Sequence, residues 1–441
     1  MNDMADRMPK VTLINKSDST GGAAVVSFRL LEALLQAGVD ACMIVEEKLS
    51  DNPFVVEAAS STGRMIPFLE ERLEIFAANG FRRDSLFRID TASHGLPLHR
   101  HPFVREADII CLNWVNQGML SLKGVKRILD LGKPVVWTMH DMWNFTGVCH
   151  HAGSCLRYME NCGDCPLIGF PRGTHDMSAR IFKRKAHLYE WAVTSQESSR
   201  LTFVAVSNWL ASLARKSPLL GGMPVEVIPN AFPVSDFPHP DDILQWRQSA
   251  PDRKPGEFTV AIGAARLDDP VKGLPLLLEA FAILRESYPD LASRTRLLSF
   301  GSLRDSKAFD SVAVSHTHLG PLAGSKQVME VLRSSDAVVS SSLYETLPGT
   351  LVEAQACGAV PVSFDRGGQA DIINHGVTGY LAHISDDTTF SARNLAEGIA
   401  WAAQQAEESV APLMARSVAD KFSAAAIASR YIDLFRRLPH S

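Results

Sequence analysis

The chain of 441 residues has no apolar run near the roughly 18 residues that a membrane span needs. Its first residues, MNDMADRMPKVTLIN, hold no apolar stretch of signal-peptide length, so a cytoplasmic location is expected, with the inner face of a membrane as an alternative setting. No block of like charge stands out and the formal net charge is −5, which argues against a nucleic-acid partner. A local basic patch need not show in that total, so a peripheral membrane contact stays open. There is no internal repeat, no low-complexity tract, and no Asp-x-Asp pair at a strand end to hold a catalytic divalent ion. Against these absences, 46% of the residues are apolar and 21% charged, the balance of a globular chain with a real core.

Short β-like runs alternate with helical stripes, a rhythm that predicts parallel sheets flanked by helices, the α/β class. The first unit reads as a strand at 10–14, a tight loop at 19–24, and a helix carrying Val26, Leu30, Leu31, Leu34 and Leu35, which Gly38 stops. Residues 50–105 are less regular and read as helices and loops. Around 233–256 the pattern breaks into a Pro- and Asp-rich stretch with one short helix. The alternation then restarts at 257–263 and ends in a helix over about 416–437, with Val418, Phe422, Tyr431 and Leu434 as buried positions. Two such rhythms imply two doubly wound, Rossmann-like domains. The expected boundaries are 1–235, a linker at 236–256, a second domain at 257–415, and a helix at 416–441 that packs back on the first. Ligands of such sheets bind beyond the carboxyl ends of the strands, so the loops there are the places to search.

In the second domain, GAARLDDPVKG joins a strand to a helix and carries Arg266 and Lys272, two cations suited to a diphosphate. Farther on, YETLPGTLVEAQACG puts Glu345 in a loop and Glu353 in the helix after it, so that both carboxylates are expected on one side. The helix end near Gly349 offers free N–H groups to a phosphate or a sugar. In the first domain His140 and Asp141 follow the strand 135–138. They are candidates for a base or a sugar contact, or for a pair that only orders the loop. Trp114, Trp137, Trp143 and Phe145 are candidate sugar-stacking rings, each also a natural core residue, and Asn113 and Asn116 are candidate hydroxyl partners. The segment CHHAGSCLRYMENCGDC groups Cys149, Cys155, Cys162 and Cys165, with His150 and His151 beside the first. Those thiols suit a structural zinc in an insertion at 149–165. A compact loop of free thiols, or a reducible disulfide, would account for them equally.

Taken together, GAARLDDPVKGLPLLLEAF, SSLYETLPGTLVEAQACGAVPVSFDRGG, VTGYL, VVWTMHDMW and FVAVSNWLA, with the Gly21-Gly22 loop, resemble the retaining glycosyltransferases of family four, the group 1 glycosyl transferases. The resemblance runs from about residue 10 to 435 and implies the GT-B fold. It implies transfer of a sugar, with retention, from a UDP- or GDP-sugar to a saccharide or lipid-linked acceptor, in surface-polysaccharide assembly, with no cofactor needed for catalysis. By the same resemblance Arg266 and Lys272 hold the donor diphosphate, and Glu353 holds the ribose. Glu345 lies near the transferred sugar, and Gly21, Gly22, Gly301 and Leu347 belong to the donor site. His140 matches a position that contacts donor sugar or acceptor. Where the family often has Gly-Phe-Gly after the first Glu, this chain has Thr346, Leu347 and Pro348, and the proline removes one N–H. A nucleotide-sugar epimerase and a non-catalytic nucleotide-sugar-binding protein are the competing functions.

Overall fold

The structure is a computed structural model that describes residues 8–83, 85–169, 173–194, 200–305, 307–407 and 410–439. The chain divides into two compact units, residues 1–231 with 424–441, and residues 232–423.

The first unit holds seven strands: β1 (Lys10–Ser17), β2 (Asp40–Glu47), β3 (Val55–Glu57), β4 (Ile109–Leu112), β5 (Val135–Met139), β6 (Leu201–Ala205) and β7 (Val225–Val227). They form one parallel sheet in the order β3-β2-β1-β4-β5-β6-β7. Val11 stands opposite both Ala41 and Ile109, so β1 is the hub of the sheet. Helix α1 (Gly22–Gln36) begins at Gly21, whose φ of 92° suits glycine, and buries Leu30, Leu31 and Leu34 on the sheet. The helix Ala424–Arg437 packs on α1 and completes this core with Ile427, Tyr431, Leu434 and Phe435.

The second unit holds β8 (Phe258–Arg266), β9 (Thr295–Ser302), β10 (Ser315–His318), β11 (Ala337–Ser340), β12 (Val360–Phe364) and β13 (Tyr380–Ala382). These form a second parallel sheet in the order β10-β9-β8-β11-β12-β13. Leu277, Phe281 and Leu284 of one helix, and Leu395 and Ile399 of another, close its core.

One sequence expectation is filled in and two are corrected in detail. The irregular stretch 50–105 contains an 18-residue helix, α2 (Ser61–Ala78), capped by the Ser60 hydroxyl, which accepts from the Gly63 N–H. The segment 236–256 is no loose linker. Its helix Ile243–Gln248 sends Ile243 into the second core, and Arg247 donates to the carbonyls of Cys357 (2.9 Å) and Ser335 (2.7 Å). The final helix is two helices, Ala411–Phe422 and Ala424–Arg437, parted by an extended Ser423. The four positions expected to be buried there are all buried, but Val418 and Phe422 serve the second unit and Tyr431 and Leu434 the first.

Candidate active site

In each sheet the strand order reverses at one point, between β1 and β4 and between β8 and β11, and crevices open there. The second unit gathers most of the expected residues at its reversal. Arg266 ends β8, Lys272 closes the short turn Pro270–Lys272, and the loop after β11 brings Glu345. Lys272 Nζ lies 2.6 Å from Glu345 Oε1. The contact is built by the backbone: Leu343 N donates to Val271 O (2.8 Å), and the Ser341 hydroxyl donates to Lys272 O (2.7 Å). A side chain at Gly273 would overlap the Ser341 carbonyl, and its φ of 63° also favours glycine, so the two loops meet only with Gly there.

Arg266 makes a different contact. Its guanidinium pairs with Asp269 (2.5 Å) and reaches Asp268 at 3.5 Å. Glu353 lies in the helix Gly349–Ala356 and lines a cavity of 340 Å³ with Lys326, Pro233, Phe237 and Met329, which neither Glu345 nor Lys272 borders. The structure thus joins Lys272 to Glu345 and gives Arg266 and Glu353 neighbours of their own. Gly301, at φ 124°, has a packing role: a Cβ there would overlap the Ala264 carbonyl where β8 bulges between Gly263 and Arg266. Leu347 is buried, and Gly367 and Gly368 let the loop after β12 rest on the backbone of Glu345 and Thr346.

In the first unit Gly21 and Gly22 follow β1, and a side chain on either would meet open space. Asn113 follows β4 and His140 follows β5, which places all of these at one end of the sheet. His140 Nε2 lies 3.3 Å from Asn113 Oδ1, while the Asn113 NH2 is buried without a partner. Both line a small cavity with Thr138, Asn230 and Tyr431. Burial lowers the His140 pKa to about 4 against the pull of Asp141, so the ring is neutral at pH 7 and suited to hydrogen-bonding a hydroxyl.

Asp141 is fully engaged. It accepts from the Trp143 N–H (2.8 Å), from Trp114 Nε1 (3.0 Å) and from His150 Nδ1 (2.7 Å). His150 reaches Asp90 with its other nitrogen (2.6 Å), and Arg72 pairs with both Asp90 and Glu71. Burial disfavours the charge on His150, but Asp141 and Asp90 outweigh it and raise its pKa to about 10. Burial likewise opposes ionisation of Asp141, and His150 outweighs it, taking the carboxyl down to about 2. With three donors and a pKa so low, Asp141 is a poor base and a good anchor for the loop. Trp137, Trp143 and Phe145 are core residues rather than sugar platforms. The Trp143 indole N–H donates to Asp90 O, and Lys185 Nζ sits 3.3 Å from its ring centroid. Trp114 is half-buried, with its ring 5.5 Å from that of His150.

Cys149, Cys155, Cys162 and Cys165 are free thiols that line one cavity of about 20 Å³. Burial pushes Cys149 up to about 12 and Cys162 up to about 11. His150 is spent on the two aspartates and is no partner of theirs. Among the described residues no three His, Cys, Asp or Glu side chains converge as metal ligands, so the zinc expectation gains a shared cavity but no ligand geometry.

Residues 245–410 match the family described as Glycosyl transferases group 1. The match spans most of the second unit. Among curated relatives of this chain is a D-inositol 3-phosphate glycosyltransferase of Stackebrandtia nassauensis, 33% identical over 30% of this chain and 32% of the relative. The matched part is therefore about a third of that relative's length. A putative colanic acid biosynthesis glycosyl transferase, WcaC of Escherichia coli, is 24% identical over 78% of this chain and 79% of its own. Among solved structures, Anabaena Alr3699/HepE in complex with UDP and glucose superposes with a TM-score of 0.60 at 16% identity, covering 98% of this chain and 100% of that one. That likeness shows the GT-B fold expected from the sequence.

Several residues of the two units were not legible in the sequence. Gln369 is wholly buried beside Gly367, and neither atom of its amide has a partner among the described residues. Its motif, DRGGQADII, was visible, but a Gln carries no chemical signature of its own. Lys326 opposite Glu353, and the group Arg72, Asp90 and His150, come together only in three dimensions.

Proposed function

We propose that the chain transfers a sugar from a UDP- or GDP-sugar to a saccharide or lipid-linked acceptor, with retention at the anomeric carbon, in surface-polysaccharide assembly in the cytoplasm at the inner face of the membrane. The observation that carries this is the Lys272–Glu345 contact at the β8/β11 reversal, 2.6 Å long and built by two interlocked loops. In the reaction the bond from anomeric carbon to diphosphate oxygen breaks, and the acceptor oxygen bonds the same face. The acceptor proton passes to the departing diphosphate. The negative charge that grows on that diphosphate needs fixed cations and amides. Lys272 is one, Arg266 a second on the same loop, and the first amides of the helix Gly349–Ala356 add a positive dipole end. Glu353 accepts hydrogen bonds from the ribose diol, and the neutral His140 bonds a sugar hydroxyl. The colanic acid name of one relative and the UDP and glucose held by one structural neighbour support the donor class and the setting.

The test is product analysis with radiolabelled UDP- and GDP-sugars, chosen from a thermal-shift screen. A new glycoside with retained configuration is expected. A rearranged nucleotide-sugar would make the chain an epimerase, and tight binding without product would make it a binding protein. Either result overturns the proposal.

A further inference from the structure

We propose that the outward face of α2, with the exposed Phe81, Arg82, Arg83, Phe87 and Arg88 after it, is a docking surface for an anionic lipid bilayer. On a helical wheel Met65, Ile66, Leu69 and Leu73 fall within about 100° of arc. All four are exposed, from 48% at Leu69 to 65% at Leu73. The opposite face, Pro67, Glu71, Arg72 and Ile75, is buried. A surface helix ordinarily turns its apolar stripe inward and its charges outward. Here the order is inverted, and the cause is local. Glu71 Oε1 accepts from the N–H groups of Thr91 (3.0 Å) and Ala92 (2.6 Å), and Arg72 pairs with the buried Asp90. Rolling the helix to bury its leucines would strand those two charges, so the apolar row is held outward.

The surroundings select the occupant. Phe81 and Phe87 are exposed just beyond the helix, and Arg82, Arg83 and Arg88 are exposed beside them. The carboxylates of Glu70 and Glu74 face His94, at 3.1 and 3.6 Å. Aliphatic and aromatic side chains rimmed by guanidinium groups match the boundary of an anionic bilayer, with hydrocarbon below and phosphate above. A second copy of this chain fits worse, because two-fold pairing would bring the same arginines together. No helix among the described residues is long and apolar enough to cross a membrane, so attachment would be at the surface. The proposal deepens the one above, because a lipid-linked acceptor lies in such a boundary. Lipid docking and donor binding are nevertheless measured apart.

The test is co-sedimentation of the full chain with vesicles of phosphatidylcholine alone and of phosphatidylcholine with 30% phosphatidylglycerol (roughly the anionic content of a bacterial-type surface). The expected result is binding to the anionic vesicles at least about tenfold stronger than to the neutral ones. That binding should fall by about tenfold in Leu69→Gln with Leu73→Gln, and in Arg83→Glu with Arg88→Glu. UDP thermal shift and far-UV circular dichroism should be unchanged in both variants. Absence of binding to either vesicle, or variants that bind like the wild type, overturns the proposal. So does a concentration-dependent dimer that Leu69→Gln with Leu73→Gln abolishes, which would assign the face to a second copy. Failure of UDP and GDP alike to bind the wild type would strike the transferase proposal and leave this one standing.

Discussion

Replacing His150 by Asn tests the buried charge network that holds the loop after β5. The imidazolium lies between Asp90 Oδ2 (2.6 Å) and Asp141 Oδ2 (2.7 Å), with Arg72 and Glu71 behind Asp90 and Lys185 nearby. Removing it takes the cation from between the buried Asp90 and Asp141, a loss that costs about 3–5 kcal/mol in comparable buried pairs. The rise of the His150 pKa from its ordinary value to about 10 points to a similar figure, about 5 kcal/mol at about 1.4 kcal/mol per pH unit. Because folding raises this pKa, the contribution is whole below about pH 6.5 and is lost as pH climbs through about 10. Lys185, lowered by burial to about 7, changes stability the opposite way across much of that window. The quantity to measure is therefore the gap between wild type and variant. Urea unfolding followed by near-ultraviolet circular dichroism, to which the buried Trp137 and Trp143 contribute, gives that gap at several pH values. It should be near about 4 kcal/mol at pH 6 and shrink toward zero by pH 10 to 11. A gap below about 1 kcal/mol at pH 6, or one that does not shrink, would refute the charge-network account.

Lys272→Ala should lower kcat by about 100-fold or more, the scale for removing one preorganised charge donor, and initial-rate kinetics with a saturating donor would show it. A drop under about threefold would place the diphosphate elsewhere. Gly301→Ala should destabilise the second unit by about 2 kcal/mol or more, because the new Cβ meets the Ala264 carbonyl in a left-handed backbone; differential scanning calorimetry reads this. Metal analysis of the purified chain decides the cysteine cluster. A structural zinc would appear as about one equivalent per chain that Cys162→Ser releases, whereas folded, zinc-free protein would leave four free thiols lining one small cavity in the loop.

The two sheets were legible because their central strands are uninterrupted apolar runs, such as VTLI at β1 and AVV at β11, and their order follows from alternation with helices. The edge strands β3, β7, β10 and β13 were not, since three or four residues with mixed polarity leave no period to read. Helices were expected in 50–105, but the bounds of α2 were not readable for two reasons: Pro67 lies inside it, and its apolar stripe faces out while charges face in, against the usual rule. Of the site, loop positions after strands were readable because chain order fixes them. Which partner each side chain takes was not. Lys272 finds Glu345 across a sequence separation of 73, and Arg266 turns instead to the neighbouring Asp268 and Asp269. Asp141 looks as good a base as His140 in the sequence, because nothing in the order of residues says that His150, nine positions on, and Trp114, after the neighbouring β4, both donate to it.

The second unit is an insertion into the first: the chain leaves after Ala231 and re-enters at Ala424, and at the base of the insert Phe232 N donates to Phe422 O. During synthesis, then, the earlier half must wait, one face of α1 uncovered, until everything down to Phe435 has left the ribosome. The later half, by contrast, has all its strands and can close first. Trimming the terminal helix should consequently injure the amino-terminal core and spare the sheet that carries Lys272.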